Sequence, residues 1–258
     1  MSGHSKWAKI KRQKGANDIK RGALFTKLAK IIAIAASEGG GDPDMNFTLR
    51  LAVEKAKQAN MPLVNIEKAI KRGTGELDEG TRLEKVIYEA VLSNGGSLII
   101  ECTTDNKNRT VADLRRLLEN NGGTLGVNGS VSWKYDEVGY IVAEPKKLVK
   151  SSIFGKEDTY EPVVDIEALE MELIEIEGIR DIQQEEGNII VITEKTMYSS
   201  VNKTLYSLGL KIQSAEIRFL PKEYISIDEQ ATTRLLELMS SLDDHDDVEN
   251  VFTDINLD

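Results

Sequence analysis

Residues 166–193 read IEALEMELIEIEGIRDIQQEEGNIIVIT, and the spacing of the apolar residues changes within this stretch. The first part repeats apolar residues every three to four positions, which predicts a helix over 166–176. Two runs with strand-like spacing follow, and they predict strands over 179–184 and 188–193. The stretch therefore contains one helix and two strands that follow it closely.

Working outward from this stretch, further elements complete a recurring order. A strand is predicted before it, over 140–143, and a helix and a strand are predicted after it, over 197–208 and 215–220. The order is then β-α-β-β-α-β, which is typical of a ferredoxin-like domain. We therefore predict a ferredoxin-like domain over residues 138–221.

The residues that precede this domain predict part of a second sheet. Apolar runs over 86–92 and 97–103 flank Ser93-Asn-Gly-Gly96, which is a signal for a β-hairpin. A helix follows and ends near Asn121, and another short strand is predicted over 131–135. These elements would form an α+β domain.

The end of the chain supplies two more elements, a helix over 230–242 and a strand over 248–253. They could complete the sheet that begins at Val86. We therefore predict a middle α+β domain formed by residues 77–137 together with 222–258. The ferredoxin-like domain would be an insertion within it.

The first part of the chain predicts a bundle of three short helices. They cover about 18–37, 48–59 and the residues from Pro62 to Arg72, with Gly73 predicted to end the third helix. We assign residues 1–76 to a basic arm and this bundle. The fold class is accordingly α+β and multidomain.

Charge divides the chain unevenly. Residues 1–72 carry 15 Lys and Arg against 6 Asp and Glu, a net charge of +9. Residues 73–258 carry 18 against 37, a net charge of −19, so the total of −10 conceals a basic part and an acidic part. Such an asymmetry indicates a polyanionic partner, most often nucleic acid, for the basic part.

The basic side chains are concentrated near the amino terminus, where Trp7 and Phe25 lie among them. Lysine and arginine bind phosphates, and an aromatic ring stacks on a base, so an arm of this composition favours nucleic-acid binding. The alternative is a solvated basic face with Trp7 anchoring the arm to its own domain. Lys27 and Lys30 lie off the apolar stripe of their helix and are expected to face water or ligand. Our candidate contacts are His4, Lys6, Trp7, Lys9, Lys11, Arg12, Lys14, Lys20, Arg21, Lys27, Lys30, Lys68, Lys71 and Arg72.

A glycine-rich loop follows the first helix. It has no preceding strand and no Gly-Lys-Ser/Thr sequence, so a phosphate-binding Walker loop is not indicated. We interpret it as a flexible loop and a candidate contact element. Its residues are Gly39, Gly40, Gly41, Asp42, Asp44, Met45 and Asn46.

Catalytic chemistry is not indicated anywhere in the chain. Cys102 lies in an apolar run and is expected to be a buried strand residue. His245 lies in an acidic segment, 243–247, without calcium-loop spacing, and the polar segment 104–110 is explained by a turn that caps the next helix. We predict no catalytic residues, no metal and no cofactor.

The chain has no apolar stretch of membrane-spanning length and no apolar segment after its charged start. We therefore expect a soluble protein in the cytoplasm, without a membrane partner.

Several segments together resemble the YebC family, which includes the mitochondrial translational activator of cytochrome c oxidase. The resemblance extends over nearly the whole chain, although 47–48 and 151–161 depart from the usual pattern. It is carried by Gly3-His-Ser-Lys-Trp7, Lys20-Arg-Gly22, Phe25-Thr-Lys-Leu28, Gly39-Gly-Gly-Asp-Pro-Asp-Met-Asn46, Glu54-Lys-Ala56, Asn60-Met-Pro62, Ala69-Ile-Lys-Arg-Gly-Thr-Gly-Glu76, Thr104-Asp-Asn-Lys-Asn-Arg-Thr110, Ser130-Val-Ser-Trp133 and Asp247-Val-Glu-Asn-Val-Phe252.

The resemblance implies the inserted ferredoxin-like domain and a role in translation, including relief of ribosome stalling at proline-rich sequences. It also implies an alternative, because members of this family are described as DNA-binding transcriptional regulators. The expected partner is ribosomal RNA or the ribosome, with DNA as the alternative. A third hypothesis, an RNA-processing enzyme, requires a metal or an acid–base pair that the sequence does not indicate.

Overall fold

A computed structural model describes residues 18–77, 83–149 and 159–257, with the backbone alone described for residues 18–21. Its helices are α1 (Asp18–Gly39), α2 (Phe47–Gln58), α3 (Leu63–Thr74), α4 (Lys107–Asn120), α5 (Ile166–Ile174), α6 (Tyr198–Ser207) and α7 (Glu229–Asp243). Its strands are β1 (Glu84–Leu92), β2 (Ser97–Thr104), β3 (Gly123–Leu125), β4 (Tyr135–Val149), β5 (Thr159–Pro162), β6 (Ile179–Glu185), β7 (Asn188–Glu194), β8 (Leu210–Pro221) and β9 (Val248–Thr253).

The chain divides into two compact units. The first contains Met1–Tyr135 and Pro221–Asp258, and the second contains Asp136–Leu220. The second unit is therefore an insertion in the chain of the first. No helix in the described ranges is long and apolar enough to cross a membrane.

The first unit begins with the predicted bundle of α1, α2 and α3. Burial of apolar residues at helical spacing holds the three helices together; the core includes Leu28, Ile32, Leu49, Ala56, Ile66 and Ala69.

The prediction that Gly73 ends the third helix is wrong, because α3 continues to Thr74 and Gly75 adopts the left-handed conformation beyond it. Gly73 serves a different purpose: a Cβ atom there would lie 2.1 Å from the carbonyl oxygen of Ala33 in α1. The glycine therefore allows the backbones of α1 and α3 to touch.

The rest of the first unit is a four-stranded sheet with the order β3-β1-β2-β9. The hairpin of β1 and β2 and the antiparallel pairing of β2 with β9 confirm that the end of the chain completes the sheet that begins near Val86. Helices α4 and α7 contribute to its core with Leu114, Leu118, Leu238 and Leu242.

The predicted strand over 131–135 is wrong. Ser132–Lys134 forms a single 3₁₀ turn, and β4 begins at Tyr135. The carboxylate of Glu89 accepts hydrogen bonds from the backbone N–H groups of Val131 and Ser132. These amides are thereby held by a side chain, so they do not join a strand ladder.

The second unit has the predicted β-α-β-β-α-β order in β4, α5, β6, β7, α6 and β8. Its sheet has the order β5-β4-β7-β6, with β8 also paired to β4. The ferredoxin-like prediction is confirmed, and β5 is an additional strand that the sequence did not predict. The core is formed by the sheet and both helices, with Ile141, Leu169, Leu173, Val191, Val201 and Leu205 fully buried.

Candidate nucleic-acid interface

The predicted contacts fall into three groups in the structure. The arm residues His4, Lys6, Trp7, Lys9, Lys11, Arg12 and Lys14 lie outside the described residues. Lys20 and Arg21 lie near the start of α1, where the backbone alone is described. The remaining cations belong to α1 and α3, and the two helices use them differently.

Lys27 and Lys30 on α1 are directed to the turn between α7 and β9. The ammonium group of Lys30 lies 2.6 Å from Oδ1 of Asp247 and 3.0 Å from the carbonyl oxygen of Asp246. Lys27 donates to the carbonyl oxygen of Asp243. The expectation that these two lysines face water or ligand is therefore wrong, because both bind the chain itself.

Asp247 lies at the centre of these contacts between α1 and the turn, and it is 2% exposed. Besides Lys30, it accepts hydrogen bonds from Nη2 of Arg109 at 3.0 Å and from Oγ1 of Thr110 at 2.8 Å. Burial alone would raise the pKa of Asp247, but the hydrogen bonds from Lys30, Arg109 and Thr110 outweigh it and hold that pKa well below its ordinary value. The aspartate is thus a buried, fully charged acceptor.

The cations of α3 are arranged differently. Lys68 and Lys71 are exposed and Arg72 is half-buried, all within the last two turns of the helix. Sequence reasoning named these three but overlooked Lys55 and Lys57, which are exposed in the last turn of α2. The sequence does indicate their exposure, because both lysines lie off the apolar face of that helix.

The glycine-rich loop between α1 and α2 is tightly built, although the sequence suggested flexibility. The Nδ2 group of Asn46 donates to the carbonyl oxygens of Ala35 and Gly40 at 2.7 and 2.8 Å. Its Oδ1 atom accepts from the backbone N–H of Leu49 and so caps α2. Asn46 is buried, so its role is to organise the loop, and its side chain is not a contact surface.

The opposite side of the loop is held by Arg50, which donates to the carbonyl oxygens of Pro43 and Asp44 at 3.0 and 2.8 Å. Asp42 accepts from the backbone N–H of Asp44 at 2.9 Å. The result is a braced turn in which the side chain of Met45 is 84% exposed. An apolar residue at the tip of a rigid loop is suited to contact with a partner.

A second braced loop was missed by sequence reasoning. Glu89 is 3% exposed, and its carboxylate accepts from the backbone N–H groups of Gly129, Val131 and Ser132. Burial alone would raise the pKa of Glu89, but these backbone hydrogen bonds lower it. The loop leads to Trp133, which is 66% exposed and donates from Nε1 to the carbonyl oxygen of Ser130. In the sequence, this loop was marked only by the motif Ser130-Val-Ser-Trp133, which contributes to the family resemblance.

The groups considered for catalysis have structural roles. Cys102 is 1% exposed in β2, and burial raises the pKa of its thiol, which keeps it protonated. Asn106 caps α4, as predicted, by accepting from the backbone N–H of Arg109. Nδ1 of His245 accepts from the backbone N–H of Asp247. Within the described ranges, no three His, Cys, Asp or Glu side chains are grouped to hold a metal ion.

Comparison with protein families identifies two adjoining matches. Residues 5–76 match the model described as the TACO1/YebC protein N-terminal domain. Residues 83–255 match the model described as the TACO1/YebC second and third domain. Together they account for nearly the whole chain.

Individual relatives are similar over their whole lengths. A probable transcriptional regulatory protein of Halothermothrix orenii is 43% identical over 258 residues, which is 100% of this chain and 96% of the relative. One of Caldanaerobacter subterraneus is 44% identical over 257 residues, or 100% and 99% of the two chains. The crystal structure of a conserved hypothetical protein from Aquifex aeolicus is similar with a TM-score of 0.74 at 37% identity, covering 92% of this chain and 91% of that one.

Proposed function

The chain belongs to the TACO1/YebC family, and we propose that it is a non-enzymatic nucleic-acid-binding regulator that associates with ribosomal RNA and regulates translation. In this proposal residues 1–76 bind the nucleic acid. The middle domain, 77–137 with 222–258, and the inserted domain, 138–221, carry the acidic surface and limit non-specific binding.

The observation that carries the proposal is the cationic end of α3, where Lys68 and Lys71 are exposed and Arg72 is half-buried. Lys68, Lys71 and Arg72 follow one another within two turns of the helix. Exposed cations that replace condensed counterions gain most of their binding free energy from phosphates, whatever the base sequence. This surface supports binding to a polyanion without the need for a base-reading helix.

The loop tipped by Met45 favours contact with bases or protein over contact with a phosphate backbone. Asp42 and Asp44 flank this tip, so the loop itself would be repelled by a phosphate backbone. An apolar tip with acidic neighbours is better suited to bases or protein in a folded ribonucleoprotein than to a DNA groove. The sequence also contains no helix-turn-helix spacing.

Sedimentation with purified ribosomes tests the proposal. We expect the protein to comigrate with ribosomes at low salt and to dissociate as salt rises. The variant Lys68→Glu/Lys71→Glu should lose most of the binding, and Lys11→Glu/Arg12→Glu/Lys14→Glu should test the arm in the same assay.

The matched control is Arg180→Glu/Lys203→Glu, which makes the same change of charge at two exposed positions of the second unit. It should bind as the wild type does. Equal loss in both double variants would show that total charge alone matters. Absence of comigration in the wild type would overturn the proposal.

The second candidate is a DNA-binding transcriptional regulator. The observation in its favour is the name of the relatives, probable transcriptional regulatory protein. A footprint on a defined promoter that persists in the presence of excess ribosomal RNA would favour this candidate. Loss of the footprint under that competition would favour RNA.

A further inference from the structure

A groove of about 270 Å³ lies between α1 and α3 in the bundle. We propose that it binds one unstacked nucleotide of a single-stranded RNA. The proposal rests on the proposed function, because it assigns a ligand class to the same basic bundle. The shape, the apolar floor and the cationic rim of the groove support this assignment.

The shape follows from the contact between the two helices. At Gly73 the backbone of α3 touches α1 so closely that a Cβ atom would lie 2.1 Å from the carbonyl oxygen of Ala33. The groove extends back from this contact: its lining residues on α1 lie one to two turns before Ala33, and on α3 they reach Arg72, which directly precedes Gly73. The glycine contact therefore fixes one end of the groove.

The floor is apolar. Met61 is 5% exposed and Ala69 is 4% exposed, and the half-buried ring of Phe25 completes the lining from α1. Pockets for drug-sized ligands have volumes of roughly 300–1,000 Å³. A groove of this size offers a single flat base an aromatic and a methionine side chain to lie against.

The rim is polar and cationic on one side. Asn65, Lys68 and Arg72 also line the groove, and their spacing of three and four residues places them along one face of α3. An amide both donates and accepts hydrogen bonds, as the edge of a base requires. The two cations complement the phosphates on either side of that nucleotide. An acidic peptide would satisfy the cations but would leave the apolar floor without a flat partner.

Nuclear magnetic resonance with adenosine 5′-monophosphate as the probe tests the groove directly. We expect the methyl signal of Met61 and the side-chain amide signals of Asn65 to shift with the nucleotide. Ribose 5-phosphate, which lacks the base, should leave the Met61 signal unchanged.

A variant that fills the groove provides the second measurement. Thr26 lines it from an exposed position, and its hydroxyl donates to the carbonyl oxygen of Gly22. Thr26→Tyr should weaken the affinity for the nucleotide about tenfold, the size expected for losing one stacked base. The matched control is Thr48→Tyr, at an exposed position of α2, which should bind as the wild type does.

The outcomes separate this proposal from the proposed function. Unchanged Met61 and Asn65 signals, or equal shifts with ribose 5-phosphate or with a glutamate-rich peptide, overturn the groove as a nucleotide site. If ribosomes still comigrate in that case, the proposed function stands without it. If the Met61 and Asn65 signals shift with the nucleotide and Thr26→Tyr weakens the affinity about tenfold, the groove is supported even if ribosomes fail to comigrate. That failure overturns the proposed function alone.

Discussion

Two helices of the same bundle present lysines in opposite ways. On α1, Lys30 is bound to the buried carboxylate of Asp247, and Lys27 to a carbonyl oxygen of the same turn. On α3, Lys68 and Lys71 are exposed at the end of the helix. The comparison teaches that lysines clustered in a sequence can differ in burial once the chain folds: Lys30 is bound to a buried carboxylate, whereas Lys68 and Lys71 are exposed.

The strongest test of this comparison removes the acceptor on the α1 side. Asp247→Ala removes a buried carboxylate and leaves the partly buried Lys30 without its charged partner, so we expect the free energy of unfolding to fall by about 3–5 kcal/mol. Chemical denaturation measures it. Asp246→Ala is the matched control, since this neighbour is exposed and provides its carbonyl oxygen to Lys30. A loss of similar size in both variants would contradict the assigned role.

The same pair predicts a dependence on pH. Because the folded protein lowers the pKa of Asp247, its contribution is fully present above about pH 4, where an unfolded aspartate is ionised. The contribution is lost as the pH falls from there through the lowered pKa of the folded state. Denaturation of Asp247→Ala should therefore depend less on pH in acid than that of the wild type, whereas Asp246→Ala should follow the wild type.

The second test compares one lysine from each helix. Lys30→Met should lower the free energy of unfolding by roughly 1.5–3 kcal/mol, because hydrogen bonds to charged groups contribute about that much. Lys68→Met should change it by less than about 0.5 kcal/mol, as is usual for an exposed position. If both variants lower the thermal stability equally, the proposed difference between the lysines of α1 and α3 is wrong.

The third test concerns the glycine-rich loop between α1 and α2. Asn46→Ala removes the cap of α2 and two hydrogen bonds to carbonyl oxygens, and we expect a loss of about 1–2 kcal/mol. Met45→Ala, at the exposed tip of the same loop, should leave the unfolding curve nearly unchanged. Amide hydrogen exchange of residues 39–46 should rise in the first variant and stay constant in the second.

Lys71→Ala should change the free energy of unfolding by no more than about 0.5 kcal/mol, because the side chain is exposed. Its effect on binding is more specific: the slope of log K against log salt for ribosome binding should fall by about 0.7–0.9, as for one lost phosphate contact. Lys203→Ala should not alter the slope. An unchanged slope in Lys71→Ala would exclude this residue from the interface.

The architecture was largely predictable because its signals are local. The change between helical and strand spacing in 138–221 was enough to order six elements of the second unit. The errors arose where a distant group overrides a local rule. Gly73 looked like a helix stop but allows contact with Ala33, and residues 131–135 looked like a strand but are organised by Glu89, about forty residues earlier.

The candidate interface was less predictable, because the contacts that bury part of it join residues far apart in the chain. Helical periodicity correctly placed Lys30 off the apolar face of α1, but its partner Asp247 is 217 residues away in the chain. No local pattern reveals such a contact. The exposure of Lys68 and Lys71 was predictable, because the stripe of Ile66 and Ala69 fixes which side of α3 is buried.

Because the second unit is inserted in the chain of the first, the two units leave the ribosome in a fixed order. The backbone N–H of Lys222 donates to the carbonyl oxygen of Lys134 at 2.9 Å, so the chain returns to the point where it left the first unit. During synthesis the whole second unit therefore emerges before β9 and Asp247 exist to complete the first. For that interval the nascent first unit lacks an edge strand and the anchor of α1, while the second already holds every strand and helix of its own core.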